Sequence, residues 1–573
     1  MRRFDTDILI LGSGGAGLFA ALHAHAADAS LRITVAVKGL LGKCGCTRMV
    51  QGGFNVALAK EDSVERHFMD TIEGGKWLPD QELAWKLVTL AVERIRELEN
   101  ELGCFFDRNP DGSIHQKAFA GQTFDRTVHK GDLTGIEIMN RLAEQVWARK
   151  INRLEEHRAV ELVKTRDGSA LAGVLMIDMR AGDYVFVRAK AVLLATGGGP
   201  TMYRYHTPSG DKSCDGLAMA LRAGLALRDM EMVQFHPTGL LAGTHTRMTG
   251  TVLEEGLRGA GGFLLNGARE RFMPKYDPLA ERATRDFVSR AMYTEIRNGN
   301  LSPNGGLYIS MAHLGPEKVA KNFKGMVERC ADCGFDLAGG LVEVVPTAHY
   351  MMGGVEFGHD CSTGLAGLFV AGEDAGGVHG ANRLGGNGVA NSTVFGAVAG
   401  DTMAAWVRTD GALREADQEV LVAAVERCEP KLSASHGALE ALRERLYGVM
   451  WEKVGIIRDR PGLERALAGL KAISDELAAT GIPDANRAFN LTWHDWLNLR
   501  SLADTSRVIA QAALAREDSR GAHFREDFPD AGPLETSSYT SARLAGDALA
   551  IAMKPVAFTR VRPGESLLTP RAA

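Results

Sequence analysis

The chain has 573 residues, with 66 Lys and Arg against 71 Asp and Glu and a formal net charge of −5. That length allows several domains around ample apolar core, the charge leaves no basic footprint for nucleic acid, and no run reaches the roughly 18 apolar residues of a membrane span. Eight scattered cysteines do not form a disulfide framework, and the opening "MRRFDTDILIL" leaves no room for a cleavable signal, so reduced thiols and a cytoplasmic address are expected.

The first predicted element is a strand, "DTDILIL" (Asp5 to Leu11), which runs into "GSGGAG" and then the alanine-rich "LFAALHAHAA", a helix. Strand, glycine turn and helix in this order make a dinucleotide-binding unit. Gly12 makes the tight turn, Gly14 lets backbone approach a pyrophosphate, and Gly17 lets helix and strand pack closely. Ser13, Gly15 and Ala16 complete the loop, whose amides at the helix N-terminus hold phosphate. The second strand, "RITVAVK", ends in Lys38 where a generic dinucleotide fold carries an acidic residue for a ribose hydroxyl, so this fingerprint leaves NAD and FAD undecided.

The next stretch, "GKCGCTRMVQGG" (Gly42 to Gly53), places Cys44 and Cys46 in a glycine-rich loop. A metal site needs further ligands, and none lies nearby. Two later segments, "AKAVLLATGGG" (Ala189 to Gly199) and "GLFVAGEDAGG" (Gly367 to Gly377), are buried strands ending in glycine junctions. Both return the chain to the carboxyl ends of a parallel sheet, and a ligand touched from all three places is long, which favours FAD. Residues 411 to about 515, rich in Ala, Leu, Glu and Arg at helical spacing, predict a helical domain, with the tryptophans of "TWHDWLNL" in its core. The pair Cys330 and Cys333 in "CADC" lacks a second pair and is expected to be structural thiols.

Several long motifs occur in one order: "MVQGG", "DGLAMALRAG" (Asp215 to Gly224), "QFHPTG" (Gln234 to Gly239), "EEGLRGAGGFLLN" (Glu254 to Asn266), "TRDFVSRA" (Thr284 to Ala291), "PTAHYMMGG" (Pro346 to Gly354), "GANRLGGNGV" (Gly380 to Val389) and "SRGAHFREDFP" (Ser519 to Pro529). On these the chain resembles the flavoprotein subunits of succinate dehydrogenase and fumarate reductase, with L-aspartate oxidase as a relative, from about Asp7 to about Asp530. The resemblance implies an α/β fold: a Rossmann-like FAD-binding domain (1–240 and 355–410) with an inserted α+β capping domain (241–354), a helical domain (411–515) and a C-terminal segment (516–573). It also implies that FAD is contacted by Gly12 to Gly17, Lys38, Cys46, Thr47, Gln51, Gly52, Gly53, Asp215, Glu373, Gly388 and Val389. Cys46 stands where the family carries a histidine bonded to FAD, so noncovalent FAD is expected, with a thioether from Cys46 as the alternative.

The implied activity interconverts a succinate-like and a fumarate-like acid. Such chemistry needs clamps on the carboxylates, flavin N5 against one carbon and a proton donor near the other. His236, His349 and Arg383 match the family's substrate contacts, although a histidine in either strand is equally a core residue by itself. Arg285 matches the proton donor, with Glu255 and Arg258 as its relay; the competing reading of Arg285 is an ion pair with Asp286. Glu254 replaces a family threonine that binds a substrate carboxylate. A second carboxylate there repels a dicarboxylate unless protonated or turned away, so an amino or hydroxy acid substrate enters consideration, as does a Glu254 pointed at solvent. An iron–sulfur or other electron-transfer subunit is the expected partner, giving peripheral attachment at the inner membrane face, although the tail after Asp530 lacks the family's aromatic, Arg-rich close. The alternatives are an oxidase of the L-aspartate type and a non-catalytic flavin-binding relay subunit.

Overall fold

The computed structural model describes residues 1–244, 246–432, 438–546 and 548–568. Its central sheet runs in the order Asn152–Glu155, Ile33–Val37, Arg2–Leu11, Asp183–Leu194, then Leu171–Asp178 and His157–Lys164. The first four strands are mutually parallel, while Leu171–Asp178 and His157–Lys164 turn back antiparallel. The long strand Asp183–Leu194 changes partner along its length: residues up to Arg188 pair with Leu171–Asp178, and Val192 to Leu194 pair in parallel with Leu368–Val370. Chain from three remote parts of the sequence therefore ends side by side at the carboxyl edge of the sheet, where open α/β sheets bind ligands.

Ile8, Leu9, Ile10 and Leu11 are fully buried, and the apolar residues of the following helix Gly15–Ala27 are buried as far as Ala24. Gly12 has φ +113°, which favours glycine, and a Cβ there would strike the Ala195 carbonyl. A second long helix, Asn387–Thr409, packs on the first. Gly396 and Gly400, one turn apart, face the backbone of Ala16 and Ala20, where added Cβ atoms would come within 2.6 and 2.5 Å of the carbonyl oxygens. That close crossing sets the N-termini of both helices beside each other at the sheet edge. Neither has a side-chain cap, so both present backbone amides.

Over this edge lies an α+β cap. Its antiparallel sheet has the order Val233–Leu240, Val342–Met351, Leu307–Ser310, Phe263–Leu265, and the helix Arg285–Arg297 packs against the first of these strands. Behind stand the helices Gln418–Cys428, Ala438–Lys453, Arg460–Ala479 and Leu491–Ala515. Trp493 and Trp496 are buried there, and their indole N–H groups donate to the carbonyls of Cys428 (2.8 Å) and Leu477 (3.0 Å), which satisfies the one polar atom of each ring. The buried Arg525 closes the last helix by donating to the Ala513 (3.0 Å) and Arg516 (3.1 Å) carbonyls, a cation placed at the negative end of the helix dipole. The chain then forms the hairpin Ser538–Ala545 and Ala548–Pro555, which extends the small sheet of Leu227–Arg228 and Gly354–Val355.

Candidate active site

Two adjoining cavities form a trench along the carboxyl edge of the central sheet, sharing Gly14, Ala195 and Lys212 in their linings. Its narrow end, about 70 Å³, is walled by Gly12, Ser13, Gly14, Lys38, Thr196 and Asp215. Lys38 bonds Asp215 at 2.8 Å, and Arg158 reaches the other oxygen of that carboxylate at 2.7 Å. Gly14, Ala195 and Lys212 continue into the wide end, a cavity of about 500 Å³. That cavity is lined by Gly15, Ala16, Cys46, Thr47, Gln51, Gly52 and Gly53 together with Glu373, Gly388 and Val389. Gly17 lies outside the lining and packs against Gly12 instead.

These residues fit an extended dinucleotide with a planar head. A Cβ on Gly14 would meet only Thr47 Oγ1, at 3.7 Å, so a glycine there leaves the trench floor open for a pyrophosphate beside the amides of the first helix. The Thr196–Gly198 junction is held by Asp374, which accepts from the backbone N–H of Thr196 (2.5 Å), Gly197 (3.2 Å) and Gly198 (3.0 Å). Gly388 and Val389, in the first turn of the second helix, set a positive dipole end against the wide cavity.

At the far side of the wide cavity the cap contributes a chain of buried charges. Arg285 donates from Nε (3.1 Å) and NH2 (2.5 Å) to one oxygen of Glu255. Arg258 donates to the other oxygen at 3.0 Å, and its second arm meets the Glu281 carbonyl at 2.8 Å. Arg258 is itself fully buried and reaches the cavity only through Glu255. Burial pushes the Glu255 carboxyl up, but the two guanidiniums outweigh it and hold its pKa below the usual range. The partner of Arg285 is thus Glu255 and not its neighbour Asp286, whose Oδ1 has no partner among the described residues.

The same cavity is lined by Arg383, His236 and His349. Arg383 lies 4.4 Å over the Tyr350 ring and donates to Gln234 Oε1 at 3.0 Å; its Nε has no acceptor among the described residues. Burial, and then Arg285 facing it, push its pKa down to about 10. His236 Nδ1 accepts from the Thr238 N–H at 3.3 Å, which leaves the proton of the neutral ring on Nε2. His349 Nδ1 lies 2.7 Å from the Thr207 hydroxyl, and the two imidazoles meet edge to face at 5.3 Å. Burial and the nearby arginines hold both well below the usual histidine pKa, so they act as neutral hydrogen-bond donors.

The comparisons with known proteins bear on this geometry. Residues 7–389 match the family described as FAD binding domain, and residues 443–568 match the family described as Fumarate reductase flavoprotein C-term. The chain belongs to the fumarate reductase and succinate dehydrogenase flavoprotein family. It is 40% identical to a subunit of the CoM/CoB fumarate reductase of Methanothermobacter marburgensis, over 92% of this chain and 96% of that one. It is 34% identical to the fumarate reductase flavoprotein subunit of Escherichia coli over 92% of this chain and 89% of that one. A solved flavoprotein chain of E. coli quinol fumarate reductase superposes with a TM-score of 0.92 at 32% identity, over 99% of both chains. The protein is an FAD-dependent oxidoreductase of this type, and its likeness continues past Asp530 to Leu568, beyond the end set by the sequence motifs.

Two features of this flavoprotein escaped the sequence reading. Gln234 joins the site by accepting from both Arg285 NH1 and Arg383 NH2, each at 3.0 Å. Its signal was present, because Gln234 and His236 are two apart on one strand and so share a face. Lys117 and Phe119, from "IHQKAFAG", carry no motif at all, yet Phe119 lines the cavity and Lys117 forms an ion pair with Glu254. Glu254 does not point at solvent: it is 6% exposed and lines the cavity.

Proposed function

We propose that the protein interconverts fumarate and succinate, or a close C4 dicarboxylate pair, with Arg285 exchanging the proton. The observation that carries this reading is the unbroken series Arg258, Glu255, Arg285, which leads from the buried side of the cap to the cavity wall beside Arg383. Bound FAD supplies hydride chemistry at N5. Arg383, His236 and His349 would clamp the substrate carboxylates, with Gln234 setting the spacing of the two active-site guanidiniums. Charge accumulates on a carboxylate as the double bond is reduced, so donors fixed before the reaction stabilise the transition state more than the ground state. Arg285 donates its proton to the remaining carbon and regains one through Glu255, whose second oxygen is held by Arg258. An arginine works as an acid only under such desolvation and resupply, because its ordinary pKa exceeds about 12. Completeness of this relay favours catalysis over a purely electron-carrying role.

The cofactor contacts assigned above are part of the same reading, as is the division at residues 240, 354, 410 and 515 into FAD-binding, capping and helical parts. Burial, with Glu373 alongside, pushes the Cys46 thiol up to about 12, which makes it a poor nucleophile and supports noncovalent FAD. An iron–sulfur or other electron-transfer protein is the proposed electron partner, since the relatives are named as subunits; among the described residues no helix is long and apolar enough to cross a membrane. The test is anaerobic: flavin reduced with dithionite should regain its absorbance on adding fumarate, and Arg285→Ala should keep FAD but slow that step by about 10³-fold or more. Acid precipitation should release the yellow colour to the supernatant. A wild-type flavin that no C4 dicarboxylate reoxidises or bleaches would sink the reading.

A further inference from the structure

Glu254 poses an electrostatic difficulty for a dicarboxylate pocket. It immediately precedes Glu255, is buried, and lines the cavity that also holds His236, His349 and Arg383. Glu255 has its charge matched by two guanidiniums, but Glu254 receives neither of them. Its one ion-pair partner among the described residues is Lys117. This lysine comes from outside the cap. The two-residue strand Gln116–Lys117 pairs with Thr127–Val128, which in turn pairs with Phe54–Asn55, directly after the Gln51–Gly53 wall of the trench. Glu254 is anchored on the cap side, where the neighbouring Leu253 N–H donates to the Thr238 carbonyl at 2.9 Å.

Lys117 is held for this role. Its ammonium lies 3.4 Å from the Gly131 carbonyl and 5.8 Å from the centre of the Phe119 ring, and its side chain is 20% exposed against 6% for Glu254. A buried carboxylate is costly without a paired cation, and an uncompensated one beside a dianion adds repulsion in a medium of reduced dielectric.

We propose that Lys117 is a specificity-determining residue, whose ion pair with Glu254 across the junction of cap and flavin-binding body cancels that carboxylate and so admits a dianionic substrate. The assignment rests on the fumarate reading above. It deepens that reading by naming the feature that lets a dicarboxylate bind where the family's threonine is absent. The pocket therefore takes an unsubstituted C4 dicarboxylate, with no need for a substrate amine to face Glu254.

The test is a charge-compensation cycle on FAD-loaded enzyme, reading KM and kcat for fumarate with a reduced viologen at pH 6 and pH 8. Lys117→Met should raise KM by about 10- to 100-fold at pH 8 and change kcat by less than about threefold, the size expected of one uncompensated charge at short range. Lys117→Arg should stay within about threefold of wild type. The double variant Lys117→Met with Glu254→Gln should also return KM to within about threefold, because the charge that needed cancelling is gone. Burial holds the Glu254 pKa above the usual range; of the groups facing it, Lys117 lowers the pKa while Asp132 and Glu255 raise it, and Arg329 from the helix Lys324–Ala331 lines the same cavity. With Lys117 removed the remaining influences favour protonation, so the KM penalty should shrink from pH 8 to pH 6. An unchanged KM in Lys117→Met, or a double variant as impaired as that single variant, overturns the assignment. If Lys117→Met does not fold, Glu254→Gln alone decides: it leaves Lys117 as a free cation and should lower KM, whereas a tenfold rise would make Glu254 a substrate ligand and refute the inference. A wild type inactive on fumarate defeats the underlying reading, whereas an active wild type with an indifferent Lys117 defeats only this step.

Discussion

Gln234 offers the sharpest test of how the clamp is built. Its Oε1 accepts from Arg285 NH1 and Arg383 NH2, both at 3.0 Å, and its Nε2 donates to Asn382 Oδ1 (3.0 Å) and to the Arg383 carbonyl (2.7 Å). One amide therefore spaces two buried cations that repel each other. Gln234→Leu keeps similar volume but removes the shared acceptor. Each hydrogen bond to a charged group is worth about 1.5–3 kcal/mol, so the two together come to about 3–6 kcal/mol of lost donor satisfaction, with cation repulsion added. The arginines should then swing towards Glu255 and Tyr350, and misplacement of this kind costs about 10²-fold in kcat/KM. Steady-state fumarate reduction with a reduced viologen measures it. Gln234→Glu is the companion: a carboxylate in the same position holds the geometry but cancels cationic charge, so KM should rise by about tenfold while kcat falls less. A Gln234→Leu enzyme within about threefold of wild type in kcat/KM would refute the claim that this amide sets the clamp.

Two other predictions follow from the same cavity. A Cβ on Gly385 would lie 2.6 Å from Glu255 Oε2 and from Phe119 Cδ2, and 2.9 Å from Arg285 NH2, so Gly385→Ala should displace the relay. Its kcat should drop by about 10- to 100-fold with only about 1–3 kcal/mol of stability lost, read by turnover and urea unfolding; retained turnover would show that the relay tolerates displacement. Burial pushes Glu373 up to about 7 from an ordinary 4.5. Between those values the folded apoprotein keeps a proton that the unfolded chain has lost, so its stability should fall by about 3 kcal/mol as pH rises through this window. Glu373→Gln should abolish that slope in urea titrations of the apoprotein, and a slope unchanged by the substitution would assign it to other groups.

Local chemistry made much of this molecule legible in the sequence. The strand, the glycine turn at Gly12 and the helix from Gly15 need only neighbours in the chain to be read, because turn geometry and helix amides are local properties. The competing reading of Arg285 shows where local reasoning stops. Asp286 is adjacent in sequence, yet Arg285 bonds Glu255, brought beside it by packing of the cap. Cys46 shows the same limit: its place in the loop was clear, but the burial that raises its thiol, and the charge of the distant Glu373 that adds to it against Lys212, are products of the tertiary fold.

The sequence by itself determined the dinucleotide unit and the glycine junctions, and its motifs brought Arg285, Glu255, Arg258 and Arg383 forward as candidates for the chemistry. Only the tertiary structure decided which of those charges are paired. Gln234 between two arginines and Lys117 on Glu254 are contacts between remote segments. The physical reason is that the effect of a buried charge depends on what replaces its water, and those replacements arrive from wherever the fold brings them.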